Sequence, residues 1–561
     1  MFFLLLNLLL FRDVIFSRDR LVSYVVSSDT FAYFASSKFL EKEALSKGLI
    51  LWNPYFFSGT PWIANPQNQI FYPLNLPFSF LSFREHINYS LILHIFLIGI
   101  ATFLLVRYFG LDWYLAMISG LITMFSGLIF LRCLAGHLLT INTYLWLPLI
   151  FLLIEMAFRK EQLIYGIFAG LALGCQILAG NPQYTYYTLL ALFFYFVFTF
   201  TIVLYRHHKQ PKIKFIFSLG TIFLVVGIGI AAFRLIPILE FAKLSNRSEI
   251  SYYFCGSYSF PLRNLVTFIM PEFYGDEVKV FYWGKAFYIW EMCGYVGILP
   301  LILSIIGVVY KRNRYTLFFG ILSILALLGS LGIYTFLFKL FYHFLPGYNR
   351  FRGHSKLIVL FIFSIGILSA YGLSWLTEKK AGSIRQLKRI TFLLGIFAAM
   401  LVLFWLFVYS KYSSVLAWWI NLWKTENLPL IASEFRFHCA YFSFAKFTSL
   451  VIIIFLIFFL WLQKKISLSV FKALVFIIII SDLLLFGAKY VVSAKAQKCY
   501  WDREVVSFLK NKEGNSLYRV CNFNNDIANN AVFDGISLID GYDPLVLKRH
   551  IDFFNACLST P

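Results

Sequence analysis

The residues best suited to chemistry in this 561-residue sequence gather between positions 18 and 87. One carboxylate, Asp29, stands near the start, between Ser28 and Thr30. An amphipathic stretch over 31–45 follows, then Leu51-Trp52-Asn53-Pro54-Tyr55-Phe56-Phe57-Ser58-Gly59-Thr60-Pro61. After it come Asn65-Pro66-Gln67-Asn68-Gln69 and Phe71-Tyr72-Pro73-Leu74-Asn75. Pro and Gly cut the stretch into turns. Asn and Gln are dense, charge is low, and aromatics alternate with the amides. A sugar ring has apolar C–H faces and many hydroxyls, so aromatic faces beside amide donors suit it. Trp52, Asn53, Tyr55, Asn65 and Gln67 are therefore candidate substrate contacts. The same aromatics would serve equally well as a belt at a membrane interface.

Membrane helices must hold this loop. The chain is 60% apolar and 14% charged, with 66 Phe and a mean hydropathy of +0.75. Soluble domains carry roughly 25% charged residues, so a single water-soluble domain is excluded. Crossing a hydrocarbon core of about 30 Å takes about 17–25 apolar residues. Such runs fall near 2–17, 88–106, 113–131, 138–157, 162–180, 184–205, 215–237, 291–310, 315–338, 355–377, 390–410, 445–463 and 467–490. They predict an all-α polytopic membrane protein of about 13 transmembrane helices. The first run is short and broken by Arg12 and Asp13.

The net charge of +22 is not spread evenly. Short loops holding Arg107, Arg159 and Lys160, Arg206, Lys209, Lys212 and Lys214 are almost free of acid. So are those holding Lys311, Arg312 and Arg314, the run Lys379, Lys380, Arg385, Lys388 and Arg389, and Lys464 with Lys465. The positive-inside rule places these loops in the cytoplasm. Residues 18–87, 238–290, 339–354, 411–444 and 491–561 mix both signs and fall outside. The chain thus divides into a transmembrane domain, 1–490, and an extracytoplasmic C-terminal region, 491–561. Positive charge split among short inner loops forms no nucleic-acid surface. The eight cysteines show no zinc spacing, and Cys499, Cys521 and Cys557 leave room for one disulfide or for free thiols. No Walker loop, GxGxxG or Gly-x-Ser-x-Gly element is present, which weighs against ATP-driven transport and serine hydrolysis.

An ordered set of motifs carries a resemblance. Asp29, Leu51-Trp52-Asn53-Pro54-Tyr55 and Phe71-Tyr72-Pro73-Leu74-Asn75 are followed by Gly136-His137 and Trp146-Leu147-Pro148-Leu149. Then come Ala179-Gly180-Asn181-Pro182-Gln183 with Tyr186-Tyr187, Pro271-Glu272-Phe273-Tyr274-Gly275, and Tyr295-Val296-Gly297-Ile298-Leu299-Pro300. The last are Leu345-Pro346-Gly347-Tyr348-Asn349-Arg350-Phe351-Arg352-Gly353-His354-Ser355-Lys356 and Asp540-Gly541-Tyr542-Asp543-Pro544-Leu545. Over nearly its whole length the chain resembles the bacterial YfhO-like membrane proteins, within the GT-C-type glycosyltransferase superfamily. It departs in its short first helix and in ending soon after Gly541-Tyr542-Asp543-Pro544. A truncated or a compact member would account for both.

The resemblance implies a GT-C-like core with an outer-loop active site in the bacterial cytoplasmic membrane. It implies transfer of a sugar from a polyprenyl-phosphate-linked donor to a cell-envelope glycan or glycolipid. The leaving phosphate needs no strong general acid. The reaction needs a base for the acceptor hydroxyl, and Asp29 is the candidate. It also needs a cation for the phosphate, and Arg350, Arg352, His354, Lys356 and Arg234 are candidates. Snorkelling to lipid headgroups is the alternative role for that basic hairpin, and helix capping is the alternative for Asp29. His137, Asn181 and Glu291 would line the sugar cavity or serve as structural hydrogen-bonding groups. The Asn-rich stretch 522–530 is expected to meet the acceptor. No cofactor is expected beyond a weak case for a divalent ion at Glu272, Asp276 and Glu277. A non-enzymatic transporter or flippase of lipid-linked sugars is the rival reading. It would use the same cavity and cations without a base.

Overall fold

The computed structural model describes residues 1–23, 28–205, 210–248, 250–278, 281–284, 288–378, 381–422, 430–513, 518–522 and 525–559. The basic positions Arg206, Lys209, Lys379 and Lys380 lie outside the described residues. Among the described residues, nine helices are long and apolar enough to cross a membrane. They are Phe83–Tyr108, Trp113–Ala135, Leu138–Lys160, Pro182–Tyr205, Lys212–Lys243, His354–Thr377, Ile384–Ser410, Ala432–Leu462 and Leu468–Tyr490. Ile164–Leu178, Ile298–Tyr310 and Arg314–Ser330 are shorter apolar helices. The chain is an all-α polytopic membrane protein. Its strands are limited to two short antiparallel pairs among the described residues, Arg20–Val22 with Ser493–Lys495 and Trp52–Asn53 with Thr60–Pro61.

Residues 2–17 do not form one continuous span. They fold as Phe2–Leu10 and Arg12–Ile15. A helix of nine residues rises only about 14 Å. It packs on the helix Phe83–Tyr108, where Asn7 Nδ2 donates to the Ile92 carbonyl at 2.7 Å.

The helix His354–Thr377 is the centre of the bundle and is buried along its length. It contacts Ile298–Tyr310 at backbone distance. A Cβ at Gly372 would lie 1.8 Å from the Leu303 carbonyl oxygen, so only glycine fits there. Small residues that let backbones meet are a common source of helix association in lipid.

Basic turns and long loops collect at opposite ends of the bundle. The helix Leu138–Lys160 shows both, since its 23 residues rise about 35 Å. Near its C-terminal end the buried Glu155 carboxylate accepts from Arg159 Nε at 2.7 Å, from Tyr195 Oη at 2.5 Å, and from Arg314 and Tyr315. Arg159 also lies over the Tyr108 ring. At the other end meet the first loop, the segment before Ile298–Tyr310, the hairpin before His354–Thr377, and the C-terminal region.

The first loop is held down by buried charge. Lys38 and Glu41, on the helix Ala35–Lys47, form an ion pair at 2.9 Å with both side chains fully buried. Lys38 Nζ also donates to Gln69 Oε1 at 2.8 Å, and Gln69 N donates to Glu41 Oε1 at 2.8 Å. Gln69 Nε2 reaches the Ala179 carbonyl at 2.7 Å. Amides from the Asn/Gln-rich turn thus complete the pair and pin the loop to the membrane helices.

Removing one partner of such a pair leaves an uncompensated buried charge, which costs about 3–5 kcal/mol. Lys38→Met is expected to lower stability by that order in reversible unfolding from detergent. The double variant Lys38→Met/Glu41→Leu is expected to regain most of the loss.

Candidate active site

Asp29 opens the turn Thr30–Phe34, yet its carboxylate makes no capping bond there. Capping is therefore not what this side chain does. Oδ1 accepts from the Tyr542 hydroxyl at 3.2 Å, and Oδ2 lies 3.3 Å from His137 Nε2. Both partners lie far downstream of Asp29 in sequence, and separate devices deliver them.

His137 follows the helix Gly127–Ala135, which ends at Gly136 in the left-handed conformation. The same turn abuts the residues flanking Asp29. A Cβ at Gly136 would sit 2.3 Å from Thr30 Oγ1 and 2.6 Å from Ser28 Oγ. Glycine here lets one turn carry His137 up to Asp29. Tyr542 is fixed through its backbone by buried Asn529, which accepts from Tyr542 N at 2.8 Å and donates to the Tyr542 carbonyl at 2.7 Å. Asn530 Nδ2 donates to the Phe31 carbonyl at 3.0 Å. These two asparagines of the stretch 522–530 brace the site from behind, and their amides are not offered to an acceptor.

Beneath His137 lies a buried ion pair. Arg132 grips Glu291 through two parallel bonds of 2.8 and 2.9 Å, with side chains 1% and 4% exposed. This bidentate geometry is the strong form of the contact. Arg132 Nη1 also reaches His137 Nδ1 at 2.7 Å. Burial opposes the Glu291 charge, but Arg132 and then Lys356 more than offset it and hold the carboxyl at about 2. Lys356 Nζ lies 3.8 Å from Glu291 Oε1 and donates to Gln183 Oε1 at 3.3 Å. Gln183 Nε2 in turn donates to the Arg352 carbonyl at 2.8 Å, which ties the basic hairpin to the helix Pro182–Tyr205. The Arg352 guanidinium lies over the rings of Phe254 and Tyr258, 5.0 and 5.1 Å from their centroids.

These groups surround a cavity of about 400 Å³, lined among others by Asp29, Gln67, His137, Glu291, Arg352, Lys356 and Tyr542. Tyr288 and Trp290 stack on its wall at 4.4 Å and 12°. A second cavity of about 340 Å³ adjoins it and shares Arg352, Tyr542 and Pro544. Burial raises Asp29 to about 6, against the Tyr542 hydrogen bond and the charges of Lys356 and Arg132. That leaves an ionised carboxylate near neutral pH, facing cations across a space for a ligand.

Of the residues expected from sequence, Asp29, Gln67, His137, Glu291, Arg352 and Lys356 line the cavity. The others stand elsewhere. Arg350 is exposed and reaches the Ser248 carbonyl at 3.5 Å. His354 is buried under Tyr348, stacked at 3.8 Å, with its nitrogens near Tyr187 Oη and Cys255 Sγ. Arg234 does not pair with Glu240. Its guanidinium donates to the carbonyls of Ile63, Asn65 and Asn68 at 2.6–2.9 Å and clamps the first loop. Trp52 lies over Gly59, and Asn53 accepts from Tyr55 N at 2.9 Å, closing a turn. Tyr55 packs against the cluster around Phe56 and Trp62. Asn65 Nδ2 donates to Asp543 Oδ2 at 2.5 Å, and Asn181 accepts from Tyr184 N at 3.2 Å at a helix start. The aromatic-amide loop therefore builds the support, and only Gln67 of its five candidates reaches the cavity.

The acidic triplet is engaged within the protein. Lys489 bonds both Glu272 and Asp276 at 2.6 and 2.7 Å, and Glu277 accepts from Tyr282 N at 3.0 Å. Among the described residues, no group of three His, Cys, Asp or Glu could hold a metal, and no disulfide forms. Arg132, Tyr258, Tyr288, Trp290 and Tyr542 were not singled out from sequence. Arg132 had a signal, a lone arginine ending an apolar run five residues before His137.

No protein-family model and no curated protein matches the sequence. Two solved structures are similar in fold. One is ArnT from Cupriavidus metallidurans bound to undecaprenyl phosphate, with 15% identity, 94% of this chain and 84% of that chain covered, and a TM-score of 0.42. The other is the Archaeoglobus fulgidus oligosaccharyltransferase in its apo form, with 12% identity, 96% and 64% covered, and a TM-score of 0.40. The functional assignment rests on the cavity's own residues.

Asp29 can take a proton only when ionised, so any reaction that uses it as base should rise as pH passes upward through about 6. A pH–rate profile of kcat/KM checks this, and the acidic limb should disappear in Asp29→Asn along with the activity.

Proposed function

We propose that the chain is a GT-C-type glycosyltransferase of the bacterial cytoplasmic membrane, working on the outer side. It moves a sugar from a polyprenyl-phosphate-linked donor to a hydroxyl of a cell-envelope glycan or glycolipid. One observation carries the reading: a carboxylate poised near neutral pH and two cations, Arg352 and Lys356, share one aromatic-walled cavity. The motif resemblance points the same way. A volume of about 400 Å³ lies within the range of small-ligand sites.

The chemistry follows from the groups. The donor's phosphate lies against Lys356 and Arg352, at the depth where the helix His354–Thr377 enters the bilayer. The Tyr288–Trp290 stack offers its face to a sugar ring. The acceptor oxygen attacks the anomeric carbon as its proton passes to Asp29. The bond from that carbon to the phosphate oxygen breaks, and the electron pair leaves on the phosphate, whose charge the two cations stabilise. A single displacement of this kind inverts the anomeric centre. The adjoining cavity under Pro544 offers the acceptor a way in.

Purified protein in lipid nanodiscs, given a radiolabelled polyprenyl-phosphate sugar and envelope extract, is expected to transfer label. Asp29→Asn should lower transfer by about 10²–10⁴-fold while donor binding persists, and Lys356→Met should weaken donor binding. Absence of transfer with every common sugar, or full function in Asp29→Asn, would overturn the assignment in favour of a carrier of lipid-linked sugars.

A further inference from the structure

The buried chain behind Asp29 has a definite direction. Arginine has only donors, so the 2.7 Å contact between Arg132 Nη1 and His137 Nδ1 requires Nδ1 to accept. The imidazole proton must then sit on Nε2, the nitrogen 3.3 Å from Asp29 Oδ2. A doubly protonated ring would point an N–H at the guanidinium. Burial and Arg132 both oppose that second proton and hold His137 down at about 3. The ring that faces Asp29 is therefore neutral, with its proton on the nitrogen 3.3 Å from Oδ2. Glu291 completes the sequence by holding Arg132 with two bonds.

We infer that His137 is a positioning residue for Asp29: the Glu291–Arg132 pair fixes its tautomer, and its Nε2–H then sets the plane of the carboxylate. A carboxylate offers about four lone-pair sites. Tyr542 occupies one on Oδ1, and His137 Nε2 stands 3.3 Å from Oδ2. One site on each oxygen is left for the acceptor's proton. The ring is itself held edge-on by Trp290, at 6.2 Å and 84°. The charged and titratable groups that face Asp29 are His137, Arg132, Lys356, Arg352, Glu291 and Tyr542. Among them His137 and Tyr542 contact the carboxylate directly. An N–H dipole placed beside Oδ2 favours the ionised form, against the burial that raises Asp29. The role rests on Asp29 being the base of the proposed transfer.

The test separates this role from simple packing and from the transfer reading. His137→Phe removes the donor and keeps a ring. His137→Gln keeps an amide N–H that can reach Oδ2. His137→Phe is expected to move the acidic limb of the pH profile up by roughly one unit. Its transfer should fall about fivefold at pH 6 with KM within twofold, and recover as pH rises. His137→Gln should restore most of the rate and the position of the limb. Infrared difference spectra on acidification, wild type minus Asp29→Asn, read the same carboxyl without turnover. Their midpoint should move up in His137→Phe. Nitrogen-15 signals of labelled histidine should show the neutral Nε2–H tautomer at His137. An unmoved infrared midpoint in folded His137→Phe, equal defects in the two variants, or an Nδ1–H tautomer would each overturn the inference. A shifted midpoint in a protein that transfers no sugar would leave the positioning role standing and remove the glycosyltransferase reading.

Discussion

The Arg132–Glu291 pair is the contact on which the shape of the cavity depends. Two opposite charges, almost wholly out of water, join the end of one membrane helix to the segment that precedes another. Such a pair gives little net stability against an apolar replacement, but it tolerates only one geometry. That geometry places His137 above it, Lys356 beside it and Trp290 on the wall next to Glu291.

The sequence told the architecture more clearly than the site. Long apolar runs need no partner to be recognised, because the bilayer imposes their length on each one separately. Among the described residues, nine predicted runs coincide with helices long enough to cross and three with shorter apolar helices, and the doubtful one over 2–17 breaks at Phe11 into pieces too short to cross. The alternation of charge anticipated which loops would meet. The first loop, the segment ending at Glu291, the basic hairpin and the C-terminal region converge on one cavity.

Within the site, legibility followed sequence distance. Arg352 and Lys356 could be seen because they share a short hairpin, and Asp29 because it stands alone in a polar loop. Arg132 could not be assigned, since its carboxylate partner is 159 positions away. Tyr542 lay inside a quoted motif without a role, because nothing local points a tyrosine at an acid near the start of the chain. Four of the candidates stand away from the cavity for one physical reason. Arg234, Asn53, Asn65 and Asn181 were read as donors for a ligand, yet a long loop has many backbone and side-chain groups of its own to satisfy. Those residues meet that internal demand, and the cavity receives only what remains.

The Tyr542–Asp29 contact joins residues 513 positions apart. A chain made from its N-terminus therefore threads nearly all its helices into lipid while the acid is still without its second donor. The wall formed by Tyr542 and Pro544 can arrive only after the preceding helices are in place. Loss of the segment around Tyr542 would open the cavity on that side.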